Sequence, residues 1–164
     1  MNTMSSLDLY TNNSTAAEFF DQQELPIEIK WIGTTTMDVL QAAKNAIRQG
    51  GLLLSNPLSG VRSTSQTPSM FSRPPGKAPA INRTAEPKII SINPYLSLLV
   101  SSPIKNTVDF TSVKRIDEAL ALYKKNARLR FLAHTEEAIK NFQTIDLQMM
   151  LVALSASRPV TRGE

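Results

Sequence analysis

Two polar turns and one later stretch hold the side chains that could bind a ligand. Residues 11–13 (TNN) follow the apolar run LDLY, and residues 55–60 (SNPLSG) follow the apolar run LLL. Amide and hydroxyl groups, with the N–H groups of a following helix start, suit a small carboxylate or phosphate. The same residue types also form ordinary turns and helix caps, which is the competing interpretation. The candidate ligand-binding residues are Thr11, Asn12, Asn13, Ser55, Asn56, Ser59, Gly60, Asn93 and Tyr95.

The sequence contains no convincing catalytic set. Ser55 or Ser59 could act as a nucleophile with His134 or Tyr95, but no G-x-S-x-G elbow positions either serine. No phosphate-loop lysine motif and no GxGxxG fingerprint occurs, so nucleotide binding has little support. The acidic pairs at 117–118 and 136–137 are sequence neighbours, which diverge on a helix. We name no catalytic residue and no cofactor, and we favour a protein that is not an enzyme.

Composition restricts which kinds of protein and binding site remain possible. The chain of 164 residues has no cysteine and one histidine, which excludes a disulfide framework and disfavours a metal site. It shows no basic leader followed by an apolar core, and no run approaches the roughly 18 apolar residues of a membrane span. These features predict one domain over residues 1–164 in the cytoplasm, without membrane contact.

The excess positive charge lies in one segment, residues 61–88. The chain carries a net charge of +4, and this segment alone holds five basic residues and one acidic residue. Five prolines and apolar residues without a period predict a long loop insertion there. Its one aromatic residue and dilute charge disfavour nucleic acid as a partner. The charged residues are Arg62, Arg73, Lys77, Arg83, Lys88 and Glu86.

The turns must be positioned by strands and helices that alternate before the loop. LDLY at 7–10 and IEIKWIG, with its period-two pattern, predict strands. Helices are predicted after Ser14 or Thr15 and over TTTMDVLQAAKNAIRQGG, where Thr35 and Asp38 resemble a capping box. The uniformly apolar LLLS predicts a third, doubly covered strand. This order predicts a parallel sheet, whose carboxyl edge is where ligands bind.

After the loop, the pattern predicts a strand at 95–100, preceded by a second candidate at 88–92. Two helices then follow, the first capped by Thr111 or Ser112 and the second beginning near Thr135. The tail from about residue 157 is expected to be frayed. The predicted fold class is therefore α/β: a three-layer βαβαβ start with a mainly parallel sheet, a long loop insertion, a further strand and two C-terminal helices.

Four stretches in this order resemble the GrdX family, small uncharacterised proteins encoded with glycine reductase systems. They are LDLYTNN, GTTTMDVLQAAKNAIRQGGLLLSNPLSG, INPYLSLLVS and KNFQTIDLQMML, with the TNN, PLSG and NPY stretches the most specific. Here about thirty residues separate PLSG from NPY, where the family usually has a few. Asn56 also stands where the family often has histidine, so a role that needs an imidazole there does not transfer.

The resemblance implies an accessory role near glycine reductase metabolism. The leading hypothesis is a protein that binds a small anionic ligand at the strand ends. One alternative is a small enzyme acting on a carboxylate or phosphate compound at the same place. Another is an interaction module for a reductase subunit, which would use the last helix or the loop.

Overall fold

The structure, a computed structural model, describes residues 6–63, 89–102, 107–127 and 135–157. His134, the tail after residue 157 and most of the predicted loop insertion lie outside these ranges. The α/β fold class is confirmed. The strands are β1 (Leu7–Thr11), β2 (Ile27–Trp31), β3 (Val61–Ser63), β4 (Ile89–Ile92) and β5 (Ser97–Ser101), and the helices are α1 (Ser14–Asp21), α2 (Thr36–Arg48), α3 (Phe110–Lys125) and α4 (Glu136–Ser157).

The main sheet has the order β2-β1-β5 and is mixed. β1 and β2 run parallel, as the βαβ pattern predicts, with Leu9 opposite Ile29. β5 lies antiparallel on the other side of β1. The predicted strand LLLS is observed as an edge segment (residues 52–55), which continues the sheet beyond β5 through one bridge between Leu53 and Val100. The edge segment is antiparallel to β5 and therefore points in the same direction as β1.

Local signals explain where the first two helices begin and end. The side chain of Asn13 caps α1 by accepting a hydrogen bond from the Thr15 N–H. The cap is therefore a residue of the TNN turn, whose residue types suit helix capping, and not Ser14 or Thr15. Thr35 caps α2 by accepting from the Asp38 N–H at 3.2 Å, as predicted. Gly50 follows α2 with a φ of 108°, a left-handed conformation that favours glycine at helix ends.

The caps of the last two helices differ in how well the sequence predicts them. Asp109 caps α3 by accepting from both the N–H and the hydroxyl of Ser112, so the predicted cap at Thr111 or Ser112 is wrong. A charged carboxylate accepts these bonds more strongly than a hydroxyl does, and it also favours the positive end of the helix. Thr135 accepts from the Ala138 N–H, which agrees with the predicted start of α4.

Two hydrophobic cores lie on opposite faces of the main sheet. Adjacent residues of β5 point to opposite faces, so Leu98 and Val100 pack toward α2 and α3, whereas Leu99 packs toward α1 and α4. This arrangement gives the predicted three layers. The core under α2 and α3 includes Val39, Leu40, Ala43, Ile47, Ile116, Ala119 and Tyr123, and the other includes Leu9, Ala16, Phe20, Met150 and Leu154.

A second, two-stranded sheet begins inside the region that the sequence assigns to the loop insertion. β3 pairs antiparallel with β4, with Val61 opposite Ile92. Both of these side chains are buried in the core under α2 and α3. The strand at 89–92 is as predicted, but the start of the insertion at residue 61 is corrected because Val61 buries its side chain and pairs its backbone.

Side chains of α3 occupy the outer hydrogen-bonding positions of the edge segment. The Leu53 N–H donates to Ser112 Oγ at 3.0 Å, and Arg115 Nη2 donates to the Ser55 carbonyl oxygen at 3.2 Å. These bonds satisfy backbone groups that would otherwise be open for pairing with another strand. Among the helices that the structure describes, none combines the length and apolar character needed to cross a membrane.

Candidate ligand-binding rim

The topology brings the three predicted polar stretches to one end of the main sheet, which we call the rim (residues 11–13, 55–60 and 93–95). β1 and the edge segment end there, and β5 begins there because it runs in the opposite direction. Direct contacts join the stretches: Asn12 Oδ1 accepts from the Leu96 N–H at 2.8 Å, and the Asn93 N–H donates to the Gly60 carbonyl oxygen at 2.9 Å. The sequence predicted this meeting of strand ends.

Asn12 uses its side chain to hold neighbouring loops together. Its Nδ2 donates to the carbonyl oxygens of Thr34 and Pro94, at 3.2 and 3.1 Å. Together with the Leu96 N–H, which donates to Oδ1, three backbone groups from two loops are hydrogen-bonded to the side-chain amide of Asn12. The residue is 8% exposed, so the protein interior occupies both ends of this side chain.

Asn13 joins the rim to the middle of α4. While its Oδ1 caps α1, its Nδ2 donates to the Gln143 carbonyl oxygen at 2.8 Å and to Asp146 Oδ2 at 2.9 Å. Its side chain is fully buried. One asparagine therefore fixes the start of α1 and the position of α4 against the sheet.

A chain of hydroxyl groups ends on the buried carboxylate of Asp146. The Asn13 N–H donates to Thr11 Oγ1 at 2.9 Å, and Thr11 Oγ1 lies 2.6 Å from Ser97 Oγ. The Ser97 hydroxyl donates to Asp146 Oδ2 at 2.5 Å, so the Thr11 hydroxyl donates to Ser97. The Ser97 N–H adds a bond to Asp146 Oδ1 at 2.9 Å. Thr11 and Ser97 are fully buried, so a substrate in solution cannot reach these hydroxyl groups.

The electrostatics of Asp146 reflect two opposing effects. Burial raises the pKa of its carboxyl group above the usual value of 3.8, because the charged form loses water. The hydrogen bonds from Ser97 and Asn13 lower the pKa but do not cancel the effect of burial. Asp146 is a buried acid of α4, 3% exposed, which contacts the rim through Asn13.

Asp146 was not among the residues predicted from the sequence, although its spacing carries a signal. Asp146 lies four residues after Phe142 and four before Met150, and residues at this spacing share one side of a helix. A carboxylate at that helical position must point inward and needs buried donors. The donors come from β5 and the β1 turn, which sequence spacing alone does not bring to α4.

Ser55 and Asn93 also make internal contacts. Ser55 Oγ accepts from the Leu99 N–H at 3.0 Å and takes the place of a backbone acceptor in the sheet. Asn93 Nδ2 donates to the Phe142 carbonyl oxygen at 2.8 Å, and its Oδ1 accepts from the Tyr95 N–H. Asn93 is therefore a second amide that holds α4, one residue along the helix from the contact of Asn13.

The outward part of the rim consists of the remaining predicted residues. Asn56 is exposed, and Ser59, Gly60 and Tyr95 are half-buried. Asn56 Oδ1 accepts from the Leu58 N–H at 3.0 Å, and its Nδ2 donates to no residue in the described ranges. A side chain at Gly60 would lie 2.8 Å from the Asn93 Cβ atom, so this close approach of the two loops requires glycine.

Arg115 of α3 lies beside this outward part and was not among the predicted residues. Arg115 is half-buried, and its bond to the Ser55 carbonyl oxygen holds the guanidinium at the residue that precedes Asn56. It forms no ion pair with a carboxylate of the described residues. A guanidinium offers five N–H donors in a planar fork that fits carboxylate and phosphate groups.

A groove of about 320 Å³ lies at the opposite end of the sheet from the rim. It runs between the end of β5 and residues 107–109, which precede α3. The carboxylate of Asp109 borders the groove and accepts two bonds from Ser112. Because the charged residue that lines the groove is an acid, the groove does not suit an anionic ligand. Within the described ranges, no three histidine, cysteine or acidic residues lie close enough to hold a metal ion.

No protein-family model, curated protein or solved structure matches this chain.

The contacts at the rim separate two sets of residues. Thr11, Asn12, Asn13, Ser55 and Asn93 make bonds inside the protein, whereas Asn56, Ser59, Tyr95 and Arg115 border solvent. Solvent reaches the second set while the bonds of the first set stay intact.

Proposed function

We propose that this protein is a non-enzymatic accessory protein of the GrdX type that binds a small carboxylate or phosphate compound at the outward part of the rim. The observation that carries the proposal is the guanidinium of Arg115, held at the SNPLSG turn by the Ser55 carbonyl and unpaired with any described carboxylate. Asn56 adds an exposed amide beside it. An arginine fork with an amide donor is a common way to recognise a carboxylate or phosphate.

The internal contacts of the rim support binding over catalysis. The Ser97 hydroxyl is bonded to Asp146, yet both are buried, so a substrate cannot reach the one serine and acid that the described rim places together. Ser55 Oγ is engaged in the sheet. The enzyme alternative pairs Ser55 or Ser59 with His134 or Tyr95. His134 lies outside the described residues, and Tyr95 is half-buried at the rim, where its N–H donates to Asn93 Oδ1.

Thermal denaturation with amino acids, acyl phosphates and nucleotides as probes tests the proposal. A ligand at 100 times its dissociation constant stabilises the folded state by about 2.7 kcal/mol. We expect at least one carboxylate or phosphate compound to raise the melting temperature of the wild type. Substituting Arg115→Gln should remove this shift because the charged fork is lost.

Lys114→Gln provides the matched control. It lies next to Arg115 on α3, is exposed and removes the same charge. It should keep the ligand-induced shift if the guanidinium at the turn is the recognised feature. No shift with any probe, or an equal loss in both variants, would contradict the proposed site.

A further inference from the structure

The outward side of α4 carries an apolar stripe, which we define as Ile145, Met149, Val152 and Ala156. Ile145, Met149 and Val152 are 37%, 40% and 67% exposed. Their spacing of four, three and four residues is the pattern by which two helices form a common seam. The stripe extends about 16 Å along the helix, since each residue advances the helix by about 1.5 Å. Such a surface fits another helix.

Charge restricts what can cover this stripe. Between residues 141 and 157, α4 has one charged residue, Asp146, and that side chain points into the core. Within this stretch of α4, a partner recognised through ion pairs finds no exposed charged side chain. A second copy of the chain offers the same uncharged stripe, and two-fold symmetry is the commonest form of self-association.

We propose that α4 pairs with α4 of a second copy, antiparallel, about a two-fold axis near Met149. Ile145 of each copy then packs against Val152 of the other, and the two Met149 side chains meet at the axis. A parallel pair would place the exposed Glu136 and Glu137 of both copies side by side, where like charges repel. The antiparallel pair separates them by about 36 Å along the helix axis.

The size of the surface predicts a weak dimer. A stable interface buries roughly 800 Å² on each partner, whereas the apolar patch of a typical monomer reaches about 300–600 Å². We expect one helix stripe with polar borders such as Gln148 to bury less than the roughly 800 Å² per partner of a stable interface. The dimer should therefore form with increasing protein concentration.

Disulfide cross-linking of the full chain tests the geometry, because the natural sequence has no cysteine. A disulfide requires Cα atoms within about 7 Å. Met149→Cys should cross-link to itself under mild oxidation. Ile145→Cys should cross-link to Val152→Cys in a mixture but form little dimer alone, whereas a parallel pair would give the reverse result. Gln41→Cys, on the exposed side of α2, is the control and should remain monomeric.

Sedimentation measurements between roughly 1 µM and 1 mM provide a second readout. We expect a monomer to dimer transition in the wild type and a dissociation constant at least about tenfold higher for Met149→Glu, with an unchanged circular dichroism spectrum. A wild type that stays monomeric throughout, or cross-linking of Gln41→Cys equal to that of Met149→Cys, would overturn the proposal.

Discussion

Asp146 shows at the residue scale how one buried acid organises the sheet end. Its carboxylate accepts three bonds, from the N–H and hydroxyl of Ser97 and from Asn13. We expect Asp146→Ala to lower the free energy of unfolding by about 3 kcal/mol or more, because these buried donors lose their acceptor. Urea denaturation measures the loss. Asp21→Asn, an exposed change at the end of α1, should have little effect; equal losses in both variants would contradict this role.

The raised pKa of Asp146 has a defined consequence for stability. The folded protein binds this proton more tightly than the unfolded chain, since the folded pKa lies above the usual 3.8. The associated stabilisation is complete below 3.8 and is lost as the pH rises through the folded pKa. We expect the free energy of unfolding of the wild type, relative to Asp146→Asn, to fall as the pH rises from 3.8 through the folded pKa. A relative stability that rises with pH would mean that the hydrogen bonds outweigh burial.

At the scale of elements, two asparagines attach α4 to the sheet. Asn13 and Asn93 donate to the carbonyl oxygens of Gln143 and Phe142, and Asn13 also caps α1. We expect Asn13→Ala to cost roughly 2–4 kcal/mol, and Asn13→Ser to recover about 1 kcal/mol because serine keeps the cap but cannot reach α4. Urea denaturation gives these energies, and amide hydrogen exchange of α4 should accelerate in both variants.

Asn45→Ala on the exposed side of α2 is the control for the Asn13 variants. Asn45 is exposed, and among the described residues its side chain forms a hydrogen bond with Gln41 alone, so the expected change is within about 0.5 kcal/mol. Full recovery by Asn13→Ser would show that the cap alone matters and that the bonds to α4 contribute nothing.

The elements that the sequence predicted are those with local signals. The alternation in IEIKW lies within β2 itself, and the Thr35 cap lies within three residues of the N–H group that it binds. The direction of β5 could not be predicted, because its antiparallel pairing with β1 joins residues about ninety positions apart. Short-range patterns were enough to predict that the strand ends meet at one rim. They could not predict that the Asn13 and Asn93 side chains point inward, because the α4 groups that these side chains bind are distant in sequence.

At the scale of the whole molecule, β5 connects the two cores. Leu98 and Leu99 are adjacent in sequence but pack in different layers, and β5 pairs with both β1 and the edge segment. A cavity in either layer should therefore weaken the sheet that both layers share. We expect Leu98→Ala and Leu99→Ala each to cost roughly 2–5 kcal/mol.

Cooperativity across the sheet can be followed through Trp31, the single tryptophan, at the end of β2. Leu98 lies in the layer of α2 and α3, yet Leu98→Ala should lower the denaturation midpoint of Trp31 fluorescence and of far-ultraviolet circular dichroism by the same amount. Leu151→Ala, at a position 38% exposed on α4, is the control and should shift neither midpoint appreciably. Separate midpoints in Leu98→Ala would show that the layers unfold independently. Coincident midpoints are expected because β5 cannot lose one layer and keep its pairing with β1.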